Sequence, residues 1–305
     1  MEKIKRPAQA QAVGSTIQYG KSKTEIPANS TYVCETATPY VMGHTNPERR
    51  RLALQASILR PFTERLLREA GIAWGMHVLD IGCGVGDVSM LAAGLVGRNG
   101  SVTSVDVDPG ALETLRQRAA AEGIANIACV QTDVCAFLPG RLFDAVVGRH
   151  ILIHTSDPLA VLKHCRDLLQ PRGLAAFQEY DFQLIPPSYP STPLRDCVFA
   201  IMNGCFAKAV HANIGSRLFR LFTEAGFAHP DCRVEFPVEG GPDSPCHELL
   251  AETLRTILPR ARVLNVPGAA DIDIDTLEQR LREEATITGA GLPGSMMFSC
   301  FARRL

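Results

Sequence analysis

Val78-Leu79-Asp80-Ile81-Gly82-Cys83-Gly84-Val85-Gly86-Asp87 is the stretch on which the reading of this chain turns. A short apolar run enters a turn with glycine at every second position, and the apolar segment from Val88 to Val96 follows with the length of a helix. Glycine lets the backbone turn sharply and lets a ligand approach with no Cβ in the way. The helix behind the turn offers free N–H groups and the positive end of its dipole to that ligand. A nucleotide-like cofactor is expected at this turn.

Working outward, apolar strand-like runs recur at 77–81, 101–106, 126–131, 143–148 and 173–179, with helical stretches at 86–96, 109–122 and 157–169 between them. Strands alternating with helices of this length predict right-handed crossovers and a mostly parallel sheet covered on both faces. Ligands of such sheets bind beyond the carboxyl ends of the strands, so functional residues are sought just after each strand. Upstream, Thr45 and Glu48 are spaced as a capping box, with Pro47 suited to the first turn. The apolar face from Leu52 to Leu59 is expected to break at Pro61, with a second helix from Phe62 to Ala70 stopping at Gly71. After Asp181 comes a proline-rich connection (183–190), helix material from Leu194 to Ala212, a helix at 215–225 and a strand at 230–237. Helices at 247–258 and 274–287 and a last strand, Ser295 to Phe301, complete the chain. The expected division is an N-terminal arm or cap (1–44), a cofactor-binding core with entry helices (45–181), a substrate lid (182–214), and the C-terminal part of the sheet (215–305) with a helical insertion at 244–290.

The 305 residues hold 31 Lys+Arg against 32 Asp+Glu, a net charge of −1, so no basic field draws the chain to nucleic acid or a membrane surface. No apolar run reaches the roughly 18 residues of a membrane span. The charged start, Met1 to Arg6, leads into Pro7-Ala8-Gln9-Ala10, not an apolar core, so a signal peptide is not expected and the location is read as cytoplasmic. Ten cysteines, at 34, 83, 129, 135, 165, 197, 205, 232, 246 and 300, include no C-x-x-C pair. They are read as reduced thiols, with neither a metal site nor a disulfide framework expected.

Two cofactors compete for the turn, a dinucleotide such as NAD and S-adenosylmethionine. A dinucleotide turn needs Gly or Ala at its sixth position, where helix packs on strand. Here that position is Asp87. Asp80 would repel a pyrophosphate but suits a sulfonium that carries an ammonium group. Asp106 ends the second strand 24 positions beyond Gly82, where a carboxylate can accept from both ribose hydroxyls, and Val107 can lie on an adenine face. Asp133 stands after the third strand, within reach of an adenine amino group. Each of these carboxylates alone is also a helix cap or a solvated turn residue. Together, beside the glycine turn, they favour S-adenosylmethionine.

The ordered set of Val78 to Gly86, Val105-Asp106, Asp133, Phe143-Asp144-Ala145-Val146-Val147 and Leu168-Leu169-Gln170-Pro171-Arg172-Gly173 resembles the motifs of the class I S-adenosylmethionine-dependent methyltransferases over roughly residues 75 to 180. The resemblance implies an α/β, Rossmann-like fold with a mostly parallel seven-stranded sheet, helices on both faces and a helical cap. It implies cofactor contacts from Asp80, Gly82, Cys83 and Gly84, from Asp106 and Val107, from Asp133 and Val134, and from the main chain around Gly148 and Arg149. Arg172 departs from the pattern, since the family commonly has glycine there. The segment from Tyr40 through Gln55 resembles the entry helix of a small-molecule subgroup, which makes Tyr40 and Gln55 candidates for the methionine end; otherwise Tyr40 packs and Gln55 is solvated.

Methyl transfer is an in-line displacement on an activated sulfonium, so alignment and exclusion of water come first and a general base is optional. His150 and His154, four residues apart after the fourth strand, are the candidates for base or acceptor hydrogen bonding; the alternative for His154 is packing behind the cofactor. Tyr180 after the fifth strand is a third catalytic candidate. Glu179, Asp181 and, in the lid, His211 are substrate candidates, or surface acids and a polar lid residue. Asn213 either reaches the substrate or caps the next helix. The expected function is methylation of a small organic acceptor, a secondary metabolite among the possibilities, by a protein that needs no nucleic-acid or membrane partner and that can be a homodimer. The rivals are a protein that uses the fold without methyl transfer and an NAD-dependent oxidoreductase.

Overall fold

Along His77–Ile81 (β1) the side chains alternate, Val78 and Asp80 toward one face and Leu79 and Ile81 toward the other, and all four are buried. Burial on both faces is what a central parallel strand requires. The computed structural model describes residues 46–184, 190–207, 211–239, 241–289 and 291–305. Beside β1 lie Ser101–Asp106 (β2), Ile127–Gln131 (β3), Phe143–Arg149 (β4), Leu169–Tyr180 (β5), Phe227–Glu235 (β6) and Met297–Arg304 (β7), forming one sheet in the order β3-β2-β1-β4-β5-β7-β6. β7 runs antiparallel to both its neighbours, and the other pairings are parallel. The order reverses between β2 and β4, on either side of β1, which opens the crevice where such sheets bind ligands.

One face carries Asn46–Ala70 (α1) and Asp87–Val96 (α2), whose Leu66, Leu67, Val88 and Ala92 close over Val78, Val102 and Val147. Pro109–Ala121 (α3) adds Leu112 and Leu115 beside it. The other face carries Pro158–Asp167 (α4) and Ile214–Glu224 (α6) over Leu79, Ile81 and Phe177. A separate apolar cluster joins Pro193–Phe206 (α5), Pro245–Val263 (α7) and Leu277–Thr288 (α8). α5, which follows β5, and α7 and α8, which precede β7, therefore build one cap with its own core, although the sequence separates them.

Most strand and helix limits agree with the sequence reading within a few residues, but α5 ends at Phe206, short of the expected Ala212, and α7 runs on to Val263, past the expected 258. Pro61, however, lies inside α1 and does not end it. The proline forfeits the bond to the Ser57 carbonyl. The helix continues because it is anchored on both sides of the break, by Ala56 and Leu59 before it and by Leu66, Leu67 and Ala70 after it. Cys135 is disulfide-bonded, which corrects the expectation of reduced thiols throughout. It stands partly buried on the turn Val134–Ala136, which follows the edge strand β3. Arg172 adopts a left-handed φ of 65° in the turn where the family commonly has glycine, and Arg303 donates to its carbonyl at 3.1 Å. Among the described residues no helix is long and apolar enough to cross a membrane.

Candidate active site

The parallel registers Ile81↔Val105, Ile81↔Gly148, Asp106↔Gln131 and Arg149↔Gln178 bring the ends of β1 to β5 to one edge of the sheet. The glycine turn sits there. Gly82, Gly84 and Gly86 all have positive φ. A Cβ on Gly82 would meet Ile151 and one on Gly86 would meet Leu115, but one on Gly84 would meet no atom of the described residues within 4 Å. Gly84 is thus the point where the turn leaves room for something else. Its amide donates to Asp106 Oδ2 at 2.8 Å, and the Asp108 amide donates to Asp106 Oδ1 at 2.9 Å. Asp106 therefore holds the turn in place while each oxygen keeps a lone pair for a ligand. Val107 beside it is 53% exposed, an apolar surface left uncovered at the expected adenine position. Asp133 caps the turn that follows β3, accepting from the Cys135 amide at 2.8 Å. Val134 and Cys83 turn their side chains into the core, so only their main chain can meet a ligand.

Asp80 lies beneath the turn. The Ser89 hydroxyl donates to its Oδ2 at 2.5 Å and Ser104 donates to Ser89 at 2.7 Å, while Oδ1 is buried with no partner among the described residues. Burial pushes the Asp80 carboxyl up to about 7, against the opposing effect of the Ser89 bond and of the Arg149 charge. An orphaned carboxylate oxygen under a glycine turn fits an ammonium-bearing ligand, which would satisfy that oxygen and restore the charged form. Asp87, the residue that argued against a dinucleotide, is paired with Arg118 at 2.8 Å and Arg149 at 3.6 Å. Arg118 also donates to the Val85 carbonyl at 2.6 Å, tying α3 to the turn.

The resemblance pointed to main chain at Arg149, and the side chain proves to have a structural task of its own. It donates to Thr63 Oγ1 at 3.0 Å, and Thr63 donates to Gln178 Oε1 at 2.8 Å. This chain locks α1 to the ends of β4 and β5. Sequence reasoning missed Thr63, Ser89, Arg118 and Gln178 because each is an ordinary polar residue until the fold places its partner beside it.

His150 adopts φ 54° and stacks on Tyr180, ring centroids 4.1 Å apart. Its Nε2 is buried with no hydrogen-bond partner among the described residues. Burial holds the imidazole well below its usual range, and the charges of Arg149, His154 and Arg51 act in the same direction. Burial likewise lowers His154 to about 4, with Arg51 adding to it. Gln55 donates to the Tyr180 hydroxyl at 3.3 Å, which brings three of the sequence candidates together. Tyr180 is itself pushed up by burial. Tyr40 lies outside the described residues.

Three substrate candidates have other duties. Glu179 is fully buried on the opposite face of β5 from Gln178 and Tyr180, and its Oε1 accepts from the Ile151 and Leu152 amides at 3.0 and 2.7 Å. It holds the segment carrying His150 from beneath, and burial raises it to about 8. Asp181 accepts from Gln183 and, at 3.0 Å, from the Ser216 amide in the first turn of α6. His211 faces the Ser156 carbonyl and Arg217, both at 3.4 Å, and links the segment before α6 to the loop after β4. Asn213 precedes α6 but makes no side-chain cap bond. Alternation along β5 and the helix entry at 214 decide these fates, and neither is readable from residue type. Among the described residues no group of three or more His, Cys, Asp or Glu is placed to hold a metal ion.

Residues 78–173 match a family described as a methyltransferase domain. Residues 78–173 form a class I S-adenosylmethionine-dependent methyltransferase domain. The chain is 33% identical over 147 residues to aklanonic acid methyltransferase DauC of a Streptomyces species, covering 46% of this chain and 66% of that one. It is 33% identical over 106 residues to the ubiquinone biosynthesis O-methyltransferase of Neisseria meningitidis serogroup C, covering 34% and 43%. The alignments thus span from 66% down to 39% of the length of the curated relatives. The crystal structure of the cyclase SpnF shares the fold, with a TM-score of 0.51 at 15% identity and 80% of each chain covered. In the methyltransferase domain, S-adenosylmethionine is the cofactor that the glycine turn, Asp106 and the unpartnered Asp80 oxygen suit.

Proposed function

We propose that the protein transfers a methyl group from S-adenosylmethionine to an oxygen atom of a small organic acceptor. The observation that carries this is the convergence of Gln55, Tyr180 and His150, whose Nε2 has no partner among the described residues, at the strand ends past the glycine turn, next to a cap that has its own apolar core. S-adenosylmethionine supplies an activated methyl group on a sulfonium when bound. Asp106 takes the ribose hydroxyls, Val107 and Asp133 the adenine, and Asp80 with the main chain of the turn and of Gly148 the methionine end. The strand-end group of His150 and Tyr180 orients the acceptor, and α5, α7 and α8 cover it and exclude water. Alignment of this kind can supply about 7–11 kcal/mol of the barrier. The oxygen acceptor follows the relative named as an O-methyltransferase.

The test is incubation of the purified protein with S-adenosylmethionine and a panel of polycyclic phenols and carboxylic acids, followed by mass spectrometry. S-adenosylhomocysteine and a methylated oxygen should appear in equal amounts. Binding of S-adenosylhomocysteine in calorimetry without any turnover across the panel would favour the non-methylating use of the fold, and tight NAD binding instead would return the dinucleotide reading.

A further inference from the structure

Two thiols meet at the far edge of the sheet from β3, where β6 pairs with β7. Cys232 and Cys300 are direct partners in the antiparallel register, between the pairs Asp231↔Phe301 and Arg233↔Ser299. Directly opposed residues of antiparallel strands have side chains on one face and Cα atoms about 4.5–5.5 Å apart, inside the range of about 4.4–6.8 Å that a disulfide bridges. The sulfurs are in contact, with Cys232 Sγ donating to Cys300 Sγ at 2.6 Å. Cys300 is fully buried in the core under β5, beside Phe177. Cys232 is exposed, and among the described residues it is the one free cysteine that is. Either thiol can donate in this contact. With the proton on Cys300, the bond lowers the Cys232 thiol below its ordinary value, against burial and the Asp231 charge, while the same bond and burial raise Cys300.

We propose that Cys232 and Cys300 are a redox-active dithiol, with Cys232 attacking a low-molecular-weight disulfide such as glutathione disulfide and Cys300 resolving the adduct into a disulfide between β6 and β7.

The roles follow from access and thiolate character. The attacking thiol must be reachable and ionised, and Cys232 is the exposed partner whose thiolate has a donor beside it. The resolving thiol needs only to reach Cys232, so the burial of Cys300 is no obstacle. In the first step the Cys232 thiolate forms a bond to one sulfur of glutathione disulfide, the S–S bond of glutathione disulfide breaks, and its electron pair leaves on one glutathione thiolate. Cys300 then gives up its proton, bonds to the Cys232 sulfur and expels the second glutathione thiolate. The protein thiols lose two electrons, glutathione disulfide gains them, and the two protons end on two glutathione thiols. The new bond closes a stretch of 68 positions that carries α7 and α8. These two helices belong to the cap, so oxidation staples the base of its C-terminal part to the sheet.

Incubation of the folded, reduced protein with excess glutathione disulfide, quenching with N-ethylmaleimide and peptide mapping by mass spectrometry test this. Cys232 and Cys300 should be found joined, and dithiothreitol should free both. Cys300→Ala should stop at Cys232 carrying glutathione, and Cys232→Ala should leave Cys300 unmodified. In the reduced proteins at neutral pH, Cys300→Ala should slow alkylation of Cys232 by iodoacetamide about threefold or more, because its thiolate has lost a donor. Wild-type protein that keeps both thiols free, that stops at a glutathione adduct on Cys232, or that joins either cysteine to a third would overturn the proposal. Equal alkylation rates in wild type and Cys300→Ala would overturn the assignment of Cys232 as the activated thiol. Should Cys300→Ala fold poorly, the wild-type peptide map decides by itself.

Discussion

Replacing Asp106 is the sharpest perturbation of the cofactor half of the site. Its carboxylate accepts from the Gly84 and Asp108 amides at 2.8 and 2.9 Å and is assigned the ribose hydroxyls as well. Asp106→Ala removes a charge-assisted bond to the ligand, worth about 1.5–3 kcal/mol, so S-adenosylhomocysteine should bind about 10–150-fold more weakly. It also frees the Gly84 amide, so the turn loses its tether to β2. Asp106→Asn keeps one accepting oxygen but turns an NH2 group toward one of the two amides. Its affinity should fall between those of wild type and alanine. Isothermal calorimetry reads both variants, and thermal unfolding without ligand separates damage to the turn from damage to binding. An Asp106→Ala dissociation constant within about threefold of wild type, less than 1 kcal/mol, would refute the assignment of the ribose to this strand end.

Glu179→Gln keeps the accepting oxygen and the size of the side chain but removes an ionisable group raised to about 8. An acid whose folded value lies above its unfolded one stabilises the fold at low pH, and that contribution is lost as pH rises through the folded value; in urea unfolding the wild type should therefore lose about 3 kcal/mol more than the variant between pH 6 and 9. Parallel pH profiles for the two proteins would show that Glu179 ionises normally. Gly86→Ala places a Cβ 2.0 Å from Leu115 Cδ1 at φ 89°, and should destabilise the protein by about 2–4 kcal/mol in chemical denaturation. Gly84→Ala meets no atom and should cost only about 1 kcal/mol of stability while weakening S-adenosylhomocysteine binding; the reverse ranking would mean that the open side of the turn is not where the ligand lies. His150→Ala should lower turnover about tenfold or more and leave S-adenosylhomocysteine affinity within about threefold. Because burial keeps the imidazole neutral, wild-type turnover should show no titration of His150 between pH 6 and 8, and a loss of rate following its protonation in that window would contradict its placement.

Much of the fold was legible because period and punctuation are local. Apolar runs at 77–81, 101–106 and 143–148, each followed by a helical stretch, needed no tertiary knowledge to be placed in a parallel sheet. The glycine turn, Asp80 and Asp106 were legible for the same reason, since strand ends and charges lie next to each other in sequence. Pro61 misled because a local rule, that proline stops a helix, was overridden by packing on both sides of it. Glu179 and Asp181 misled differently. Both stand at a strand end, where functional residues gather, yet one faces beneath the sheet edge and the other caps a helix that begins 33 residues later.

The sequence by itself determined the sheet, the turn and the chemical sense of its ligand, because each depends on residues within one strand–turn–helix unit. The tertiary structure alone decided which side chains meet past the strand ends. Arg51, Gln55, Thr63, His150, Tyr180 and Thr253 come from α1, the ends of β4 and β5, and the cap, and are up to 202 positions apart. Hydrogen bonds between residues so far apart leave no periodic trace in a chain, and a side chain's charge acts on whatever the fold sets beside it.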